Sequence, residues 1–550
     1  MSSSDEPNRE GAIYPDAEKS SGPVSRWTRQ LFEPIDARTL ALFRILFGLL
    51  MLQEAYLLPL VPDWQFRPTY ALLLVTADWP GLVMLCKSVM VISAVLIALG
   101  LCLRLSATAF LLSFVYGYFL DHSYYNNHSY LIALLATFFI ITRADRVWTI
   151  QSLFGKVDRE ATIPRWHLAL FQFQLAIVYF YGGLAKLNSD WLQAQPVKHW
   201  MTLQPESIAT PILELPVTPY FVAYFGLVFD VCIPFILLSR RWPIKAFGFF
   251  AAIAFHLSNS QLFHIGVFPW LGIACLVLFL PLDSPGRVVG WVQRRFLGGR
   301  SDTPSKSTAR EPSESSTSAV RSASRTVTVA GLAIFALVQM LLPFRHFLYE
   351  GWTEWNEAGR GFSWRMMLYD KQIFVGIKLY DPLTRQSWDV DQFGDAKLPQ
   401  GRSGFAMMSG QAVFVPSRLL TPGQVSGRGV WGNPRLLKQY ADQIAKDARD
   451  EGMAEPQIFV DAVCSLNGRP FQYLIDPGID LAAAPCPLIG TPPYLVPLDP
   501  DATPGTYSKN QWETYQQAME VIKAHQQTHP DRFSASPLAN TSSTNATVPN

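Results

Sequence analysis

Residues 179–191 read YFYGGLAKLNSDW, an aromatic and apolar run that ends on a single lysine, Lys186, followed at once by Leu, Asn, Ser, Asp and Trp. A lysine in that place usually lays its stem along lipid and carries its ammonium to water. Held instead in an apolar pocket it can act as a base, because desolvation disfavours the ammonium form. Two other polar clusters interrupt membrane-grade sequence. DHSYYNNHSY (121–130) sets His128 beside Asn126 and Asn127, which can fix an imidazole tautomer, although capping the next helix is the commoner role of a lone histidine there. FHLSNSQLFH (255–264) carries His256, Asn259 and His264. Its two histidines have no third ligand nearby, so no metal site is expected. Asp230, inside LVFDVCIPF, must be paired, protonated or turned to a cavity, and structural pairing is the favoured reading. Arg44 and Lys87, near helix ends, are expected to snorkel. No Walker loop, Rossmann turn or Ser-His-Asp constellation is present.

The elements that must position these residues are membrane helices. With 550 residues, 49% of them hydrophobic and only 16% charged, the chain is too apolar for an ordinary soluble protein. A net charge of +2, with no basic stripe interleaved with aromatics, argues against a nucleic-acid partner. A spanning helix needs roughly 20 mostly apolar residues. About nine stretches approach this, near 37–60, 81–103, 106–121, 127–142, 168–187, 217–238, 243–259, 266–282 and 326–344. Residues 1–24 lack the pattern of a cleavable signal and are expected to be a disordered cytoplasmic terminus. The bundle then covers 25–300, a Ser-rich disordered linker 301–325, and a last membrane helix 326–344.

Basic residues in the short connections set the orientation, because positive loops stay cytoplasmic. Arg26, Arg104, Arg143, Lys156, Arg240 and Arg287, among others, all fall on one side if the N-terminus is inside. The three polar clusters then meet at the outer end of the bundle. Residues 345–532 are expected to form an outer, mostly β domain with strand-like runs SWRMMLYD, QIFVGIKLYD, QIFVDAVCSL and FQYLIDP, and a helix near 434–449. Residues 533–550 read as a disordered tail. The fold class is therefore an α-helical polytopic membrane bundle with a mostly β C-terminal extramembrane domain. Cys464 and Cys486 are equally compatible with a disulfide and with two reduced packing cysteines.

NNHSYL, FQFQLAIVYFYGGLAKLNSDW, FHLSNSQLFHIGVF, LLPFRHFLYEGWTEW, SWRMM and EPQIFVDAVCSLNGRPFQYLIDP resemble, in the same order, segments of the vitamin K-dependent γ-glutamyl carboxylases. The likeness runs from about residue 35 to 500, and its N-terminal part is also similar to the broader transmembrane module named after those enzymes. It implies oxygenation of a reduced vitamin K hydroquinone to its epoxide with O2. In the family this is coupled to removal of a γ-proton from a glutamate of a protein substrate and attack of the carbanion on CO2. It also implies an outer domain that is lumenal in a eukaryote or periplasmic in a bacterium.

By that resemblance Lys186 is the base that deprotonates the hydroquinone, and His128 with Asn127 positions or polarises its oxygens. Tyr179, Tyr181 and Phe268 would hold the naphthoquinone ring and desolvate Lys186, with His256 and Asn259 completing the polar wall. Trp355, Trp364 and Met366 would present the glutamyl substrate. This chain departs from the animal enzymes at three places. Ala185 replaces the first of two adjacent lysines, Gln443 stands where they have a cysteine of the inter-domain disulfide, and Arg360 stands at an aromatic position. Two other readings stay open: an epoxidase with an unknown acceptor, and a quinone- or lipid-binding sensor or transporter without catalysis.

Overall fold

The computed structural model describes residues 23–57, 80–120, 125–153, 162–202, 210–263, 265–282, 284–296, 318–399, 401–421, 424–425, 429–508 and 510–528. The segments expected to be disordered lie wholly or largely outside these residues, and so does His264.

Helices occupy all of the apolar stretches: α1 (Arg38–Leu57), α2 (Pro80–Leu99), α3 (Leu103–Leu120), α4 (Asn127–Ile141), α5 (Trp166–Ala185), α6 (Thr218–Leu238), α7 (Trp242–Leu262), α8 (Phe268–Leu276) and α9 (Ser318–Leu341). Among the described residues, five helical segments are long and apolar enough to cross a membrane: Arg38–Tyr56, Gly81–Leu99, Trp166–Ala185, Thr218–Leu238 and Ala323–Leu348. Asn127–Ile141 and Phe268–Phe279 are shorter apolar helices. α9 starts at Ser318, inside the stretch expected to be linker.

The bundle is held at its centre by interlocked rings. Phe43 and Phe47 of α1, Phe139 of α4 and Phe171 of α5 approach one another with centroids 5.2–6.1 Å apart, within the range of favourable aromatic pairs. Arg44 does not snorkel. It is fully buried, and its Nη1 donates to the carbonyls of Ala144 (2.8 Å) and Val147 (3.3 Å) while Nη2 donates to that of Trp148 (2.5 Å). A guanidinium offers enough donors to tie loose loop carbonyls together, and here that use prevails over reaching water. Two short strands, β1 (Pro34–Asp36) and β2 (Thr162–Pro164), pair antiparallel beside the bundle.

The C-terminal domain is built on a six-stranded sheet of β3 (Lys371–Asp381), β4 (Gln386–Val390), β5 (Gly404–Met408), β6 (Gln411–Val415), β7 (Gln457–Leu466) and β8 (Gln472–Tyr473). The order is β5-β6-β4-β3-β7-β8, antiparallel except for the β4–β6 pair. α10 (Pro434–Asp450) has the bounds expected within a residue and buries Leu437, Tyr440, Ala441 and Ile444 along one stripe. A further helix, α11 (Gln511–Thr528), covers β7 with Ala518 and Ile522.

QIFVGIKLYD and QIFVDAVCSL form the paired central strands β3 and β7, and only Gln472–Tyr473 of FQYLIDP is a strand. SWRMMLYD is not a strand. Phe362, Trp364 and Met367 all take left-handed backbone angles (φ 63°, 57° and 51°), which breaks any ladder and folds the segment into an irregular loop against the bundle. Cys464 and Cys486 are separate thiols.

A buried ionic junction joins the two parts. Asp190, just after α5, receives both terminal nitrogens of Arg469 (2.6 and 2.8 Å) and the amide of Asn467 (2.7 Å). The Arg469 Nε donates to Ala502 O at 2.9 Å, and the guanidinium lies 5.2 Å over the Trp352 ring.

Candidate functional site

The helix α5 carries its lysine to α6 because Gly183 lets the two backbones approach. A Cβ on Gly183 would stand 2.7 Å from Val231 Cγ2 and 2.9 Å from the Val231 backbone nitrogen, so no other residue fits there without moving α6. At that distance the Lys186 ammonium reaches Asp230 Oδ2 at 2.5 Å and the carbonyl of Gly182 at 3.3 Å. Both side chains are only 9% exposed. The ammonium also stands 5.2 Å from the centroid of the Trp191 ring. The expected pairing of Asp230 is present, and its partner is the very lysine that opened the question.

Lys186 and Asp230 line a cavity of about 380 Å³ between the bundle and the 360–367 loop. Its walls are mainly apolar, from Val178 and Tyr179 of α5, Val222 of α6, Phe255 of α7, Phe268 of α8 and Met366 and Met367 of the loop. Pockets for small organic molecules have this size and this balance of apolar wall and a few polar groups.

The segment YNNHSY divides its work residue by residue. Asn126 caps α4 by accepting from the Ser129 amide at 2.8 Å. Asn127 lines the cavity, yet its amide donates to Arg365 O (3.0 Å) and its oxygen accepts from Tyr125 (3.2 Å), so it also tethers the loop. His128 lines the cavity and makes no hydrogen bond to any described residue; its ring lies 6.3 Å from that of Phe268. Asn259 also lines the cavity, and its side chain makes no hydrogen bond to a described residue.

His256 stands one layer back. It is fully buried and shares a 2.6 Å hydrogen bond with the Tyr179 hydroxyl, which is on the wall. Its Nδ1 has no hydrogen-bond partner among the described residues. A Cβ on Gly272 would fall 2.3 Å from that ring, so the glycine of α8 is what makes room for it. Tyr181 faces the opposite side of α5, where its hydroxyl donates to Met340 O at 2.6 Å and its ring lines a second cavity. Trp355 lies in the core of the C-terminal domain and donates to Val496 O at 2.8 Å. Trp364 packs on Tyr130 with centroids 5.0 Å apart. Each tryptophan is 1% exposed, and neither lines the cavity; Met366 does.

The structure adds two residues that sequence reasoning did not place at the site. Arg360 and Arg365 both line the cavity, beside Met366 and Met367 of the same loop. Arg360 pairs with Glu357 at 2.7 Å, and Glu357 also accepts from Lys371 at 3.0 Å and from the Tyr369 hydroxyl. Burial alone would push the Glu357 carboxyl up, but Lys371 and Arg360 outweigh it and hold it below the ordinary carboxylate range. Arg365 grips Glu354 through Nε at 2.8 Å and through Nη2, and its Nη1 donates to His346 at 3.4 Å. Arg360 and Arg365 on the cavity wall are thus each paired with a carboxylate, while Lys371 reaches Glu357 from inside the C-terminal domain. The signal available in the sequence was the departure at Arg360 together with the arginine of SWRMM.

The residues fit a bound naphthohydroquinone on two observations: a mainly apolar cavity of suitable volume, and an imidazole and an amide, of His128 and Asn259, that line it without a side-chain hydrogen bond to any described residue. Among the described residues no cluster of three or more His, Cys, Asp or Glu could hold a metal ion. A family model described as HTTM domain matches residues 32–283. A second, described as vitamin K-dependent gamma-carboxylase, lumenal domain, matches residues 324–397 and 410–501. No solved structure matches the chain.

Proposed function

The chain belongs to the vitamin K-dependent γ-carboxylase family, and from that premise we propose that it converts protein glutamate to γ-carboxyglutamate at the cavity beside Lys186. It is a membrane protein with an extramembrane domain. We place that domain on the outer side because, with the N-terminus cytoplasmic, the basic connections of the sequence all fall on the other side. The observation that carries the reading is the convergence of Lys186 from α5, Asp230 from α6 and His128 from α4 on one mainly apolar cavity, although they are far apart in sequence.

Vitamin K hydroquinone, when bound, supplies the oxidisable ring whose epoxidation with O2 drives proton removal from glutamate. The chain's own residues bind, orient and exclude water. Val178, Phe255, Phe268 and Met366 would hold the ring, His128 and Asn259 would bind its hydroxyls, and Lys186 Nζ would take a proton. The 360–367 loop, tied down by Asn127, closes the cavity against bulk water that would quench a strong base or a carbanion. Arg360 and Arg365, each held in place by a glutamate, would offer guanidinium donors to a glutamyl carboxylate. Trp355 and Trp364 would then act by shaping that wall from within.

The test is protein purified in nanodiscs and given reduced vitamin K, O2, labelled bicarbonate and a short glutamyl peptide, with epoxide and fixed label scored together. Both products are expected. Epoxide without label would mean an acceptor other than glutamate. Neither product, from folded protein that still binds the quinone, would reduce the site to a binding pocket.

A further inference from the structure

A buried lysine that must accept a proton is poorly served by a carboxylate that merely holds its ammonium in place. The surroundings of Asp230 suggest more than holding. Its Oδ2 lies 2.5 Å from Lys186 Nζ, and no other described residue donates to its carboxylate, although a structural buried carboxylate such as Asp190 collects donors on both oxygens. Asp230 also borders the cavity rather than the core. Four residues on, Pro234 sits inside α6 and removes the N–H that would bond the Asp230 carbonyl, loosening the helix at this turn. Gly183 across from it sets the approach of the two helices.

We propose that Asp230 takes the proton of Lys186, so that the base at this site is the pair and not the lysine alone. The proposal rests on the function proposed above. One N–H bond of the ammonium breaks and an O–H bond forms at Asp230 Oδ2. The pair stays neutral overall while Nζ gains a lone pair. Nζ then takes the proton of the bound hydroxyl, leaving one net positive charge on the pair to balance the anion produced. Two charges become none before the substrate proton moves, and that exchange is favoured where water is excluded.

The test compares wild type, Asp230→Asn and Asp230→Glu in nanodiscs with two readouts. The first is pH-dependent labelling of Lys186 by a small amine reagent, followed by mass spectrometry without any quinone. The second is the pH profile of epoxide formation. Asp230→Asn is expected to label at lower pH than wild type, because nothing then holds the ammonium, and yet to form epoxide at least about 100-fold more slowly at every pH. Asp230→Glu, which keeps a carboxylate, is expected to recover turnover to within about tenfold of wild type and also guards against a misfolded Asn variant. Unchanged labelling in Asp230→Asn would overturn the proposal. So would turnover retained in that variant with its acid limb moved to lower pH, the signature of a lysine acting alone. Absence of epoxide from wild type would instead remove the function proposed above, and this step with it.

Discussion

Lys186 and Asp190 stand four residues apart at the end of α5, and each sits in a buried ion pair, yet the two pairs are built for different ends. Asp190 is saturated: Arg469 grips it with two nitrogens, Asn467 adds a third donor, and Trp352 covers the guanidinium. An arginine cannot give up its proton, so this pair can only hold. Lys186 faces a single oxygen of Asp230 at 2.5 Å, and both groups border a cavity. A lysine can exchange its proton, so this pair can act. The choice of Lys in one pair and Arg in the other, within one turn of chain, separates chemistry from assembly.

The largest effect expected is on turnover. Lys186→Ala should lower epoxide formation by about 10²–10⁴-fold, the usual worth of a positioned general base. Its melting temperature should fall less than that of the next variant, since Asp230 alone can neutralise itself by protonation. Arg469→Ala should do the reverse. With Asp190 left charged and uncompensated, unfolding should become easier by about 3–5 kcal/mol, measured by denaturant or thermal melts in nanodiscs, while the folded fraction keeps its turnover. Arg469→Lys should cost less, about 1.5–3 kcal/mol, because one charge-assisted bond of the fork is lost and the charge remains.

The smallest effect is on pH dependence. The folded Glu357 carboxyl lies below its unfolded value of 4.5. Its contribution to stability should therefore be full above that pH and should disappear as the pH falls through the folded value. Melts of Glu357→Gln should lack that acid-side loss, and a variant as acid-sensitive as wild type would discount the cluster of Glu357 with Arg360 and Lys371.

How much of this was legible in the sequence follows from range. Apolar runs and their caps are local, so helices stand in the apolar stretches, five of them among the described residues long and apolar enough to cross a membrane, and α10 stands where its own stripe put it. β3 and β7 were legible for the same reason, whereas SWRMMLYD looked like a strand but folds as a loop, because its left-handed residues answer to the bundle beneath it. His128 and Lys186 were visible as polar residues in apolar surroundings. Their meeting with Asp230 was not, since it depends on how closely α5 and α6 approach; Gly183 and Pro234 were the traces of it. Arg44 misled for a related reason: the carbonyls it serves lie about 100 residues away in sequence, at Ala144, Val147 and Trp148.

The most direct test of the contrast is to convert the acting pair into a holding one. Lys186→Arg keeps the positive charge and a partner for Asp230 but offers a group that cannot accept a proton. Purified in nanodiscs, this variant is expected to melt close to wild type and to form no epoxide above the level of Lys186→Ala. Epoxide formation at or near the wild-type rate would contradict the account, because it would mean that the residue beside Asp230 holds the site together without taking part in its chemistry.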